Sequence, residues 1–172
     1  MSRRIPEKPL AHLLNDVPGP AEIWAVDLLR QKIHRQRENG EWETAPVSTS
    51  RFGTGSRPDS GQTPVGWHQV NEIIGVGGRP DQEYISRQPV PPSDGDDRIL
   101  SRILWLDGLE TGVNRTSHDR YIYIHGTNHA DRLGTPASRG CVRMDPVTIA
   151  AWTDALREQH PLVWIGNLTP SG

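Results

Sequence analysis

The segment from residue 121 to residue 144 concentrates the side chains suited to covalent chemistry. It reads YIYIHGTNHADRLGTPASRGCVRM and contains His125 and Cys141, the one cysteine of the 172-residue chain. A cysteine is nucleophilic as its thiolate, and a neighbouring imidazole can take the thiol proton. These residue types therefore predict acyl transfer through a cysteine, provided that the fold brings the two side chains together.

The neighbours of the cysteine strengthen this prediction. Arg139 and Arg143 would add positive charge near the sulfur, and Gly140 would let the backbone approach a substrate closely. Amides near Gly140 and Cys141 would then face an oxyanion. Because Asp145 is expected to cap a helix, the favourable end of a helix dipole is also expected near Cys141.

Other interpretations fit the same residue types. A single cysteine is commonly a small buried side chain, and a histidine at the end of an apolar strand is commonly structural. His118, His125 and His129 would offer metal ligands together with Asp131 or Cys141. The helical H-E-x-x-H pattern of many metalloproteases is absent, which argues against metal catalysis.

The elements that must position these residues are predicted to be mostly β-strands. Apolar alternation and turn residues predict strands at Ile23–Leu28, Gln31–Gln36, Trp42–Ser48, Gly66–Ile74, Tyr121–His125 and Leu162–Ile165. Ile99–Leu106 is apolar at several spacings and leaves strand and helix open. Asp145 and Pro146 predict the start of a helix that runs over Pro146–His160. The expected fold is mostly β, with one or two helices.

Polar segments separate these elements. Glu38–Gly40 predicts a turn, and Arg51–Pro64 predicts a loop rich in Gly, Ser and Pro. Gly75–Asp97 forms either a lid over a cleft or a disordered loop. Its first residues, GVGG, lack the spacing and the βαβ setting of a dinucleotide-binding loop, so no cofactor is expected.

Composition limits the class of protein. The length suggests one domain, divided here into an N-terminal extension (residues 1–20) and a catalytic domain (residues 21–168). A net charge of -2 gives no electrostatic reason to expect a nucleic-acid or membrane partner. One cysteine excludes an internal disulfide and a Cys-rich zinc site.

The N-terminal sequence bears on localisation. Arg3 and Arg4 are followed by prolines and charged residues, and the apolar cluster Leu10–Leu14 is shorter than the core of a secretory signal. We therefore expect a cytoplasmic protein, or a periplasmic or cell-wall protein if a leader has been removed.

Several motifs together resemble the YkuD-type L,D-transpeptidase catalytic domain. His125–Thr127 (HGT) precedes Ser138–Met144 (SRGCVRM) by the interval typical of that family, and Pro46–Ser50 and Thr63–Gly66 resemble its upstream segments. The resemblance runs from about residue 23 to residue 165. It implies a mostly β, sandwich- or barrel-like catalytic domain.

The resemblance also implies roles for the matched residues. Cys141 would be the nucleophile, His125 the general base and acid, and the Gly126 carbonyl the group that orients the imidazole. Four further positions would shape the site and support the oxyanion: Ser138, Arg139, Gly140 and Arg143. Many members carry histidine where this chain has Arg139.

The implied reaction is cleavage between the third residue and the terminal D-Ala of a peptidoglycan tetrapeptide stem. With water as acceptor, the chain would be an L,D-carboxypeptidase in peptidoglycan recycling, acting on stem peptides or muropeptides. With an amine, it would be an L,D-transpeptidase that forms 3–3 crosslinks or exchanges D-amino acids. A non-catalytic peptidoglycan-binding domain is the alternative of another class. Arg132, Arg139 and Arg143 are candidates to pair with a substrate carboxylate. The sequence leaves the oligomeric state and the third-residue preference open.

Overall fold

A computed structural model describes residues 4–17, 22–37, 39–156 and 159–170. Its strands are β1 (Glu7–Pro9), β2 (Ile23–Asp27), β3 (Lys32–Gln36), β4 (Trp42–Pro46), β5 (Gly66–Ile74), β6 (Glu83–Ile85), β7 (Gln88–Val90), β8 (Ile99–Gly108), β9 (Tyr123–Thr127), β10 (Val142–Met144) and β11 (Leu162–Thr169). The α-helices are α1 (Leu10–Leu13) and α2 (Pro146–Asp154), and short 3-10 turns occur at Leu14–Asp16 and Ala130–Arg132.

The strands form one mixed sheet in the order β10-β9-β8-β5-β11-β2-β3-β4. The pairs β2–β11 and β9–β10 are parallel, whereas β5, β8 and β3 pair with their neighbours in antiparallel fashion. The hairpin β6–β7 joins the edge of β8, and β1 pairs with β11. The prediction of a mostly β domain with one or two helices is confirmed.

The main core lies between the curled sheet and α2. Trp24 from β2 and Trp152 from α2 meet edge to face, with ring centroids 5.4 Å apart. Ile124 on β9 and Val142 and Met144 on β10 are also buried there. This core fixes β9 and β10, the two strands that carry the candidate site.

A second cluster involves the N-terminal segment. Leu13 of α1 is fully buried beside Ala25, Trp164 and Leu168. The described residues 4–17 of the predicted extension therefore pack on the sheet. Within the described ranges, no helix is long and apolar enough to cross a membrane.

Several predicted elements have different bounds in the structure. Gly66–Ile74 is a strand as predicted, and Ile99–Leu106, left open between strand and helix, belongs to strand β8. Asp145 caps α2 by accepting from the Thr148 amide, as predicted. The predicted continuation of the helix to His160 is wrong, because α2 ends at Asp154. The His160 ring instead contacts the Val70 carbonyl of β5 at 2.7 Å.

The remaining predicted segments differ less. Asn39 and Gly40 form a turn, and Glu38 lies outside the described residues. Arg51–Pro64 contains no strand of the sheet, as predicted for a loop. The alternative of disorder for Gly75–Asp97 is wrong, because this segment contains the hairpin β6–β7.

Candidate active site

The register of β9 and β10 brings the two predicted catalytic side chains onto one face. These strands are parallel, with Val142 beside Ile124 and Arg143 beside His125. Cys141 immediately precedes β10 and thus lies beside Tyr123. Since alternate residues of a strand share a face, the side chains of Cys141 and His125 point to the same side, opposite the main core.

His125 is buried and held in one tautomer. Its Nδ1 lies 2.6 Å from the carbonyl oxygen of Gly126, which can only accept, so Nδ1 carries the proton. Nε2 is therefore the basic nitrogen. Burial lowers the pKa of His125 to about 4, and the Gly126 carbonyl opposes that shift. The predicted orienting role of Gly126 matches this geometry.

The strand backbone leaves no room for a side chain at Gly126. A Cβ there would lie 2.4 Å from the Ser101 carbonyl oxygen and 3.1 Å from Cα of Pro146. Glycine thus lets β9 approach β8 and α2 closely, in the strand geometry in which the Gly126 carbonyl accepts from the His125 imidazole.

Cys141 is partly exposed, and its sulfur contacts the backbone of the preceding strand. The Tyr123 amide donates to Sγ at 3.4 Å, and Sγ donates to the Tyr121 carbonyl at 3.5 Å. Burial of the sulfur raises the pKa of Cys141 to about 11, while the Tyr123 amide and the charge of Arg143 oppose the rise.

The resting pair is consequently a neutral thiol and a neutral imidazole. Among the described residues, no hydrogen bond joins Cys141 to His125. The described structure therefore shows no preformed thiolate–imidazolium pair.

The turn before the cysteine is held by hydroxyl groups. Ser138 Oγ donates to the Cys141 carbonyl at 2.6 Å and accepts from the Gly140 amide at 3.3 Å. Gly140 has φ +131°, a conformation that favours glycine. Thr63 Oγ1 donates to the Gly140 carbonyl at 2.9 Å. Ser138 and Gly140 therefore shape the turn, and the Gly140 amide points to Ser138 rather than to an expected oxyanion.

The charges around the sulfur differ from those expected. Arg143 is buried and pairs with Asp97 at 2.7 Å, so its charge is largely balanced. Arg139 and Arg132 are exposed. Arg120, which the sequence did not single out, lies close enough to Cys141 for the thiolate charge to act on it.

The expected contribution of a helix dipole is not supported by the topology. Strand β10 separates Cys141 from α2, and the helix begins at Pro146. The Asp145 carboxylate already accepts from the Thr148 amide at that terminus. A dipole effect falls off within the first turn, so Cys141 lies beyond its reach.

The predicted family is identified by comparison with known domains. Residues 22–163 match the family model of the L,D-transpeptidase catalytic domain, YkuD. The chain belongs to this family. No curated protein sequence matches the chain.

Several solved structures share the fold of this YkuD domain. A structure of LdtMt1 in complex with imipenem aligns with a TM-score of 0.52 and 20% identity, covering 86% of this chain and 59% of the other. Pgp2, the helical cell shape determining protein of Campylobacter jejuni, aligns with a TM-score of 0.54 and 14% identity, covering 87% and 49%. L,D-transpeptidase 3 of Mycobacterium tuberculosis gives 0.50 and 18%, covering 87% and 62%. The chain thus spans about half to six-tenths of the length of these proteins.

The histidines of the YkuD domain do not assemble into a metal site. Over the described ranges, no group of three or more His, Cys, Asp or Glu side chains is placed to hold an ion. His118 stacks on Trp105 with centroids 4.2 Å apart, and His129 lies 3.9 Å from both Asp96 and Asp131. The alternative of a metal site shared by His118, His125 and His129 therefore finds no support.

Two residues that the sequence analysis missed contact the site from distant parts of the chain. Arg120 donates to the carbonyls of Gln62 at 2.6 Å and Gly55 at 3.1 Å, and so fixes the loop that carries Thr63. Asp97 joins the Gly75–Asp97 segment to Arg143. A single sequence offers no local pattern that identifies such pairs.

Proposed function

We propose that this domain cleaves the bond between the third residue and the terminal D-Ala of a peptidoglycan tetrapeptide stem, through an acyl-enzyme on Cys141. The observation that carries the proposal is the placement of a single-tautomer His125 on the same sheet face as Cys141. Membership of the L,D-transpeptidase family supplies the substrate class.

The proposed reaction begins with proton transfer from the Cys141 thiol to Nε2 of His125. The sulfur then bonds to the third residue's carbonyl carbon, and the Cys141 amide supports the oxyanion. The C–N bond to D-Ala breaks, and the proton on His125 passes to the departing amine. The tripeptide remains on Cys141 as a thioester.

We propose water as the acceptor that releases the tripeptide. Two contacts fasten the Gly75–Asp97 segment beside the site: Asp97 pairs with Arg143 at 2.7 Å, and Arg87 donates to Tyr123 Oη at 3.0 Å. A segment held beside the site leaves less room for the side chain of a second stem than for water. His125 would take a proton from that water, and hydrolysis would return the thiol.

The test is to incubate the protein with a disaccharide-tetrapeptide in H₂¹⁸O and analyse products by mass spectrometry. We expect free D-Ala and a tripeptide that has gained one ¹⁸O atom in its new carboxylate. If 3–3 crosslinked or exchanged products form and no tripeptide appears, water is not the acceptor and the domain is a transpeptidase.

Replacement of the nucleophile separates catalysis from binding alone. Cys141→Ala and Cys141→Ser should abolish tripeptide formation while stem-peptide binding persists, as measured by calorimetry. Turnover that survives Cys141→Ala would rule out the thioester. Binding without turnover by the wild-type protein would instead favour a non-catalytic peptidoglycan-binding domain.

The LdtMt1 structure with imipenem suggests a second probe of the same residue. A carbapenem should acylate Cys141 and increase the protein mass by one molecule of the drug, with no increase for Cys141→Ala. Absence of an adduct on a folded wild-type protein would contradict an accessible acyl-transfer nucleophile.

A further inference from the structure

The tip of the hairpin β6–β7 places an arginine beside the candidate site. Ser86 and Arg87 form its two-residue loop, with φ of +47° and +65°. Two positive φ angles are the geometry of the tight turn that matches the twist of paired strands. The hairpin pairs with β8. Its tip reaches β9, because an Arg87 nitrogen donates to Oη of Tyr123 at 3.0 Å.

The Arg87 guanidinium packs on an aromatic surface that borders Cys141. It lies 4.5 Å from the ring centroid of Trp105 and 5.2 Å from that of Tyr121. One of its nitrogens donates to Tyr123 Oη at 3.0 Å. The amide of the same tyrosine donates to Cys141 Sγ, so one residue connects the arginine with the sulfur.

Arg87 forms no ion pair with any of the described residues. Within the described part of the chain, no carboxylate lies within ion-pairing distance of it, although three neighbouring arginines are paired: Arg79 with Asp81, Arg98 with Glu83, and Arg143 with Asp97. Tyr123 and, at longer range, Glu72 raise the pKa of Arg87, so it stays cationic. The guanidinium is half-buried and uses one donor, which leaves donors for a ligand.

We propose that Arg87 binds the free carboxylate of the D-residue that leaves in the cleavage, and so selects stems that end at their fourth residue. This inference rests on the proposed function. The carboxylate of the leaving residue lies three bonds from the carbonyl carbon that Cys141 attacks, on the side of the departing amine. A guanidinium can donate two parallel hydrogen bonds to the two oxygens of a carboxylate.

Arg87 replaces the arginines that sequence alone suggests for this role. Arg143 is already paired with Asp97, and Arg132 and Arg139 are exposed rather than packed at the sulfur. Arg87 alone among these four is packed on the rings beside Cys141 and lacks an ion pair in the described structure.

The first test uses the reactivity of Cys141 and needs no peptidoglycan. The probes are N-(iodoacetyl)glycine, which is anionic, and N-(iodoacetyl)glycinamide, which is neutral. We expect Arg87→Gln to lower the alkylation rate of the anionic probe, relative to that of the neutral probe, about tenfold. This is the effect of one charge-assisted hydrogen bond. Arg79→Gln, an exposed change on the same segment, should leave the ratio unchanged. An equal ratio in wild type and Arg87→Gln overturns the proposal.

The second test compares a tetrapeptide with its C-terminal carboxamide. Wild type should prefer the free acid through a lower KM, and Arg87→Gln should raise the KM for the free acid to that for the carboxamide. Arg87→Lys keeps the charge but cannot donate two parallel hydrogen bonds, so its preference for the free acid should lie between those of wild type and Arg87→Gln. If Arg87→Gln turns over both peptides and still prefers the free acid as wild type does, the proposed role of Arg87 is refuted and the proposed function stands. No turnover of either peptide by wild type refutes the proposed function, and the alkylation ratio still decides whether Arg87 binds anions.

Discussion

Replacing Thr63 by valine removes one hydroxyl from a fully buried position without changing the side-chain shape. Thr63 Oγ1 accepts from the Ser50 amide at 3.0 Å and donates to the Gly140 carbonyl at 2.9 Å. The valine variant leaves both backbone groups without that partner. Each unsatisfied buried group costs about 1–3 kcal/mol, so the free energy of unfolding should fall by ~2–6 kcal/mol.

The same change should impair catalysis, because the Gly140 carbonyl belongs to the turn that ends at Cys141. A misplaced nucleophile typically costs on the order of 100-fold in rate, and we expect a loss of that order in tripeptide formation. Urea denaturation and the product assay measure the two effects. For a domain of this size, a loss of ~4 kcal/mol lowers the melting temperature by roughly 8–16 °C.

Serine at position 63 is the matched control. Thr63→Ser keeps the hydroxyl and loses one methyl group, which costs about 1 kcal/mol. It should therefore retain most of the activity that Thr63→Val loses. If Thr63→Val unfolds at the same urea concentration as wild type and keeps full turnover, the Thr63 hydroxyl does not hold the turn before Cys141.

Three further predictions follow from the geometry around the sheet. Gly126→Ala should destabilise the protein by about 1–3 kcal/mol and reduce turnover, because a Cβ would lie 2.4 Å from the Ser101 carbonyl oxygen. Alkylation of Cys141 by iodoacetamide should accelerate with pH up to about 11, the pKa to which burial raises its thiol. Burial lowers the pKa of both His68 and His125 to about 4, so the unfolded chain binds protons first on acidification. The contribution of these histidines to the free energy of unfolding is complete above pH ~6.5 and falls by about 3 kcal/mol per histidine as the pH approaches 4. Urea denaturation at pH 7.5 and 4.5 measures this difference.

Each of these predictions has an outcome that contradicts it. Gly95→Ala is the control for Gly126→Ala, because a Cβ there lies no closer than 3.3 Å to the Ser93 hydroxyl; equal effects of the two changes would argue against a tight fit at Gly126. An alkylation rate of Cys141 that levels off below pH 8 would indicate a preformed thiolate–imidazolium pair. Equal stability at pH 7.5 and 4.5 would contradict the buried, neutral state of both histidines.

The candidate site was predictable where its residues are close in sequence. The strand ending near His125 and the SRGC sequence before Val142 are local patterns, and the parallel pairing of β9 with β10 then brings them together. The family resemblance implied the role of the Gly126 carbonyl, and the structure places that carbonyl oxygen 2.6 Å from Nδ1 of His125. Thr63 was found as part of a motif, although its bond to Gly140 needed the structure.

The contacts that tune the site were not predictable, since they join distant segments. Arg87 reaches Tyr123 across 36 positions, and Asp97 reaches Arg143 across 46. The sequence of the Gly75–Asp97 segment signals polarity but not the register that directs these side chains. The length of α2 was overestimated: the helix ends at Asp154, and His160 beyond it contacts the Val70 carbonyl of β5.

The most direct test of the central claim is mass spectrometry of the protein quenched in acid during turnover of a stem tetrapeptide. We expect a tripeptidyl adduct that maps to Cys141 after digestion, is cleaved by hydroxylamine, and is absent from Cys141→Ala. Tripeptide production in the wild type with no adduct on Cys141, or with the same rate in Cys141→Ala, would contradict the account.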